Sequence, residues 1–417
     1  MSGTETLAGR VAPLREHPRL ALVAGVVGID IGLKLAGVWS PLPGGPLAVE
    51  RLVTLLWNGL VIGLGVGLAG IGLSMTYSIL RFANFAHGDY VTTGAFAGWA
   101  CAWVVAAAGS GQLAGNVGGS LALGGAPDAP SAADLSVSVF GSPLAVVVGL
   151  VVAAVGTVVL TLAVDRTVFK PMRDAGGIPL LIASIGVALV IRYLIVFVYG
   201  GSSRGLTADQ TRLIVGGVDG RIALVTSRRT LREAQDGAVP VDAFYVELPV
   251  VDLGSYSAEV VAISSAEFGL VVLALGLMYA LHVTLQRTKL GTAMRATADN
   301  KDLARVTGIP TERVVRATWI IGGGLAGASG YLIALERGTL GFQLGWLLLL
   351  LIFAAVILGG IGSIYGAIVG GLIIGLATTV SLVWLPEATL ARPAAFFIMI
   401  VALLVRPKGL LGGRLVG

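Results

Sequence analysis

Ten long apolar runs separated by polar stretches leave this chain few ways to fold. They lie near residues 20–39, 52–79, 86–108, 143–164, 178–199, 266–285, 315–335, 346–361, 363–383 and 393–406. About 20 apolar residues cross the roughly 30 Å of bilayer hydrocarbon only as a helix, because no water is there to satisfy an open backbone. The two runs that meet at Gly359–Ser363 are marginal in length. A mean hydropathy of +0.90 with 12% charged residues lies well outside the range of soluble domains. The expectation is an all-α bundle of 8–10 membrane helices, one transmembrane domain over residues 1–417.

The basic residues orient it. With the polar stretch 287–316 on the cytoplasmic side, Arg81, the group Arg166/Lys170/Arg173 and the group Arg406/Lys408/Arg414 also fall inside, as the positive-inside rule requires. Arg10, Arg15 and Arg19 follow, so both termini are expected in the cytoplasm. The first apolar run is too long for the core of a cleaved signal and lacks a small-residue cleavage site. Two segments on the opposite side exceed what a connector needs. Gly109–Ser142 is Gly-, Ala- and Pro-rich and reads as a loose loop. Residues 201–265 carry alternating runs at Arg221–Val225 and Ala243–Val251, which predict a β-rich insertion.

Arg287–Arg316 is a polar, basic island between two apolar runs. Asp299 is placed like a helix N-cap, Asn300 follows it, and Asp302 falls in the first turn, where a carboxylate meets free N–H groups. Leu303 and Val306 are three apart and share a face, with Ala304 beside them. Gly308 supplies a residue able to turn left-handed, and Pro310 prevents continuation. A short amphipathic helix of this kind buries nothing in a bare loop and suits docking into a partner's groove.

Several chemistries are absent from the pattern. Gly65-x-Gly67-x-x-Gly70 and Gly322-x-Gly324-x-x-Gly327 imitate a dinucleotide fingerprint, but neither follows a strand. Small residues four apart (Gly63/Gly67, Gly323/Gly327, Gly366/Gly370, Gly371/Gly375) instead let helices approach closely in lipid. No phosphate-binding G-x-x-x-x-G-K-[ST] occurs, so any ATP-driven work needs another chain. His17, His87 and His282 are scattered and Cys101 is the only cysteine, which gives no metal site and no internal disulfide. No cofactor, nucleic acid or nucleophile–base pair is indicated, and an enzyme is not expected.

Four places carry polar groups inside apolar runs. Asn84–Asp89 falls at the inner end of one run, where Gly88 can break the helix and Asn84, His87 and Asp89 can satisfy the freed backbone or line a gate. Gly359, Gly360, Gly362 and Ser363 form a second break on the same side, expected to face the first across a path. Asp30 and Lys34 are four apart with the acid first, the favourable order for a helical ion pair. Arg192 is a lone cation inside a run, expected either to snorkel outward or to serve a carboxylate in the path.

Four motifs in order resemble the permease subunits of ABC importers, in the version carried by branched-chain amino-acid permeases. They are Leu73–Tyr90 with Asn84-Phe-Ala-His-Gly-Asp89, the segment 287–316, Gly-rich Ile357–Gly371 and the ending Val405–Leu411. The resemblance spans roughly 52–415. It implies that 287–316 is the cytoplasmic coupling loop and that Asn84, His87, Gly88, Asp89, Arg192 and the Gly359–Ser363 turn lie on the translocation path or gate. It also implies two ATPase subunits, a second related permease, an extracytoplasmic binding protein, the plasma membrane as location, and leucine, isoleucine, valine or a related amino acid or amide as substrate. A secondary transporter driven by an ion gradient is the alternative, and it would need an intramembrane carboxylate free to carry the ion.

Overall fold

The computed structural model describes residues 18–38, 42, 47–109, 137–139, 141–206, 212–218, 221–225, 244–246 and 259–411. Arg10, Arg15, His17, Arg414 and nearly all of Gly109–Ser142 lie outside the described residues. In chain order the helices are α1 (Pro18–Leu35), α2 (Val49–Leu80), α3 (His87–Gly109), α4 (Pro143–Val164), α5 (Gly177–Tyr199), α6 (Ser265–Arg287), α7 (Lys289–Asp299), α8 (Lys301–Val306), α9 (Thr311–Arg337), α10 (Leu344–Gly359), α11 (Ile364–Val380) and α12 (Ala391–Val405). Each of the ten expected apolar runs is therefore helical. Among the described residues, eight helical stretches are long and apolar enough to cross a membrane, the last of them extending α12 back to Ala388, while α10 is an apolar helix of 16 residues. The chain is an all-α, multi-pass membrane protein.

The bundle is ordered from a buried centre to a lipid-facing rim. In α9, 83% of the apolar window is buried, against 22% in α5 and 11% in the last span. The centre can be tight because small residues face each other. A Cβ on Gly371 would lie 2.6 Å from the Gly67 Cα, and one on Gly375 would lie 2.3 Å from the Gly59 carbonyl oxygen, so α11 seats backbone-to-backbone on α2. Gly327 likewise meets Ala153 and Thr157 of α4. Ser329 in α9 donates to the Gly65 carbonyl at 2.9 Å, and Thr161 in α4 donates to that of Trp319 at 3.3 Å.

The long segment between α5 and α6 contains strands. Short β1 (Arg204–Gly205) pairs antiparallel with β6 (Thr339–Leu340), after α9. The others, β2 (Arg212–Val218), β3 (Arg221–Val225), β4 (Phe244–Val246) and β5 (Glu259–Ser264), form an antiparallel sheet in the order β4-β3-β2-β5. The alternating run at Arg221–Val225 coincides with β3. β5 leads directly into α6, which opens on a capping box in which Ser264 accepts from the Glu267 N–H and Glu267 accepts from the Ser264 N–H.

Asp30 and Lys34 form the ion pair that their spacing predicts, at 2.7 Å and with both side chains 1% exposed. Sequence pattern does not show what buries them. Trp384, just beyond α11, donates its indole N–H to the same Asp30 oxygen at 2.8 Å and lies 5.3 Å beneath the Lys34 ammonium. The pair thus pins α1 to the far end of α11.

Candidate functional site

The polar stretch folds as two short helices and a turn. Thr288 caps α7 by accepting from the Gly291 N–H, and Asn300 caps α8 by accepting from the N–H groups of Asp302 and Leu303 at 3.1 and 3.0 Å. This corrects the expected cap. Asp299 is the last residue of α7, because the backbone extends at Asn300 (φ −148°, ψ 103°) and puts that side chain over the free N–H groups. Asp302 does sit in the first turn, next to the positive helix end. Leu303 and Val306 point outward, 60% and 85% exposed, whereas Ala304 is buried and belongs to the opposite face. Gly308 takes the left-handed conformation at φ 88° and closes the helix. Replacing Asn300 by Ala should cost about 1 kcal/mol locally, seen as an about fivefold loss of amide-exchange protection over residues 302–306. Unchanged protection there would show that the cap does not hold α8.

This segment is tied to the end of α2. Arg81, the one non-glycine residue with positive φ (58°) among the described residues, ends α2 and donates its guanidinium to the Ala298 carbonyl of α7. Ser78 of α2, Met294 and Ala298 of α7, Gly362 of the α10–α11 turn and Tyr365 in the first turn of α11 surround a cavity of about 60 Å³. Tyr365 also meets His282 of α6 at 2.7 Å.

Beyond Arg81 the chain turns back into the bundle. The His87 ring nitrogen Nε2 donates to the Ala69 carbonyl at 2.8 Å, and the ring also touches the Gly72 position. Those residues precede the end of α2 by roughly 12–17 Å of helix at ~1.5 Å per residue. Asn84–Asp89 therefore leads into the start of a span, α3, but lies well inside the bundle rather than level with the end of α2. The break runs through Arg81–Ala86, and Gly88 is already helical; its bare Cα lets the Gly345 backbone of α10 close in. The freed backbone is satisfied locally. Asn84 Oδ1 accepts from the Ala86 N–H at 3.1 Å, and Ser184 of α5 accepts from the Phe85 N–H at 3.0 Å. Phe82 packs on Phe169 at 5.2 Å and Phe85 on Phe353 at 5.0 Å.

Arg192 is paired with Asp89. Its Nε and Nη2 meet the two carboxylate oxygens at 3.1 and 2.9 Å, and the guanidinium lies 4.4 Å above the Trp346 ring. Asp89 is fully buried and Arg192 nearly so. Arg192 does not snorkel outward, and the carboxylate it meets is that of Asp89. The mostly lipid-facing α5 offers little apolar area to the bundle, and a bidentate ion pair fixes it to α3 and α10. Gly359–Ser363 has other neighbours. Gly360 and Gly362 have φ of 107° and 87°, Ser363 caps α11 through the Gly366 N–H, and Gly362 lies against Ser78. Both turns therefore touch α2, the first through His87 at Ala69 and Gly72 and the second through Gly362 at Ser78, about two helical turns further along.

A family model described as "Branched-chain amino acid transport system / permease component" matches residues 55–405. The chain belongs to that family. Within it, the chain is 25% identical over 357 residues to the high-affinity branched-chain amino acid transport system permease protein LivH of Escherichia coli K12, covering 86% of this chain and 94% of that one. Likeness to the corresponding protein BraD of Pseudomonas aeruginosa is 24% over the same shares. A probable LivH of Methanocaldococcus jannaschii is 35% identical over 142 residues, 33% of this chain and 45% of that one. No solved structure matches the chain. The family match begins after α1, so the clasp between Asp30, Lys34 and Trp384 secures a helix that precedes it.

Sequence reasoning used Arg81 and Arg173 only to orient the chain and passed over Ser184, Trp346, Asp165 and Glu312. Most of these contacts join residues about 100 or more positions apart, and the Asp165–Arg173 pair, eight apart, falls across a π-helical turn that spacing does not reveal.

Proposed function

We propose that this permease is the membrane subunit of an ABC importer that moves branched-chain amino acids, or related small amino acids or amides, across the plasma membrane. Its substrate would arrive on an extracytoplasmic binding protein, its power would come from two cytoplasmic ATPase subunits, and a second related permease would complete the pathway. Both termini would be cytoplasmic. The observation that carries this reading is α8. A six-residue helix, capped at both ends, shows two large apolar side chains to water at the polar end of the bundle. Such a surface is costly unless a partner covers it.

The geometry supports a route for motion from that partner. A displacement of α7–α8 would pull on Arg81 through the Ala298 carbonyl, and Arg81 begins the segment that returns into the bundle. A second link runs from the start of α9 to the end of α4, where Arg173 bridges Glu312 and Asp165 at 2.7 and 2.8 Å. Burial alone would lower the Arg173 pKa, but the two carboxylates outweigh it and hold the group above its ordinary value. In this reading Asn84–Asp89 is a rigid clasp beside the path, and Gly359–Ser363 is the hinge nearest the coupling segment. The ion-gradient alternative is weakened because the buried carboxylates Asp30, Asp89 and Asp165 are each committed to a cation.

Replacing residues 299–304 with a Gly/Ser linker tests the proposal in a complex reconstituted with its ATPase and binding protein. Substrate-stimulated ATP hydrolysis should disappear while membrane insertion persists. Undiminished stimulation would remove the coupling role.

A further inference from the structure

The end of the bundle that carries α7 and α8 holds a second cavity, of about 560 Å³, between the end of α4 and the start of α9. Beyond Val164, α4 continues as one π-helical turn over Asp165–Phe169, closed by the Lys170 N–H on the Asp165 carbonyl at 2.7 Å. Phe169 anchors that turn, stacked on Trp319 of α9 at 5.4 Å with the rings 2° from parallel. Charged side chains line the cavity, and they do not balance. Arg173 takes both carboxylates, Asp165 and Glu312, with Lys170 a further 3.9 Å from Glu312. Arg166 and Arg316 also line it and are exposed, and their guanidinium groups have no hydrogen bond or ion pair to any described residue. Four cations against two carboxylates leave a surplus of two positive charges.

The surroundings of this surplus say what it faces. Val147, Val151, Val155 and Val159 are exposed at four-residue intervals along α4 and form one apolar strip. Arg166 lies seven residues beyond Val159, on the same face. On α9, exposed Ile320 lies one turn from Arg316, and Leu162 joins the strip to the cavity wall. An apolar track on a membrane-facing surface thus ends in a roomy pocket with two uncommitted guanidinium groups. A soluble anion would use the pocket and ignore the track, while a neutral lipid would leave the charges unmet.

We propose that this cavity binds the phosphate headgroup of an anionic phospholipid, with Arg166 and Arg316 on the phosphate and an acyl chain along Val159 to Val151. Guanidinium groups suit phosphate because they donate in a planar fork, and basic pockets between membrane helices are a recurring headgroup site. Bound there, the lipid would bridge α4 and the start of α9, next to the coupling segment. The inference requires only that the chain spans a membrane.

The test is native mass spectrometry of the full-length protein in mild detergent, titrated with dioleoyl phosphatidylglycerol or dioleoyl phosphatidylcholine. The wild type should retain one phosphatidylglycerol in preference to phosphatidylcholine, and Arg166→Ala with Arg316→Ala should lower that preference about thirtyfold. Arg166→Gln and Arg316→Gln, made singly as milder changes, should each lower it about fivefold. An unchanged preference in these variants would overturn the proposal. So would displacement of the lipid by inorganic phosphate at equal concentration, which would mark a site for the free anion. Loss of a co-purifying ATPase with lipid retention unchanged would assign the two arginines to a protein partner and overturn it as well.

Discussion

Asp89→Ala is expected to destabilise the folded protein by about 3–5 kcal/mol, the usual consequence of removing one partner from a buried ion pair. Arg192 would be left nearly buried, with the Trp346 ring beneath it and no carboxylate to offset its charge. Arg192→Ala should also be destabilising, because Asp89 has no exposed surface and would lose the partner that offsets its burial. The double variant should be less damaged than the sum of the singles, since it leaves neither charge behind. Thermal unfolding of the four purified proteins measures that coupling. If the site acts as a clasp, transport and the yield of folded protein fall together in Asp89→Ala. Transport lost at full yield would instead place the carboxylate on the substrate's path.

Gly330→Val should be nearly as damaging for a reason that has nothing to do with charge. A Cβ on Gly330 would lie 1.9 Å from the Val91 carbonyl oxygen, so α3 and α9 would have to separate along their contact. Overpacking usually costs about 1–3 kcal/mol when side chains can adjust. Here the obstacle is backbone, and the upper end of that range or more is expected, read as lost monodisperse protein and a lower Tm. Gly324→Ala is the control on the same helix. Its Cβ would meet only the Val158 side chain at 3.4 Å, and alanine is the better helix former, so a change within about 1 kcal/mol is expected. Equal damage from the two substitutions would refute the close-contact account.

The separate fates of the site residues follow from what kind of information each depends on. Helix positions, the close-packing glycines, the Asp30–Lys34 pair and the Gly308 stop were legible because each rests on short-range chemistry: hydrocarbon thickness, four-residue spacing or a single backbone angle. The cap moved by one residue, from Asp299 to Asn300. Both side chains can cap, and only the backbone bend at Asn300 chooses between them. Ala304 went to the wrong face because three residues of periodicity do not say which side of a short helix meets the bundle.

Arg192 and Gly88 show the limit more sharply. Nothing near Arg192 in the chain foretells Asp89, which is 103 positions away. The depth of Asn84–Asp89 depends on a returning segment whose length alone is compatible with several paths. By itself, the sequence determined a membrane-embedded helical bundle with a polar segment of short helices at one end, since continuous apolar runs of about 20 residues satisfy their backbone in hydrocarbon as helices. The tertiary structure decided which buried charges meet, how far the chain folds back into the bundle and where two guanidinium groups are left over, because those outcomes depend on contacts between segments that only packing brings together.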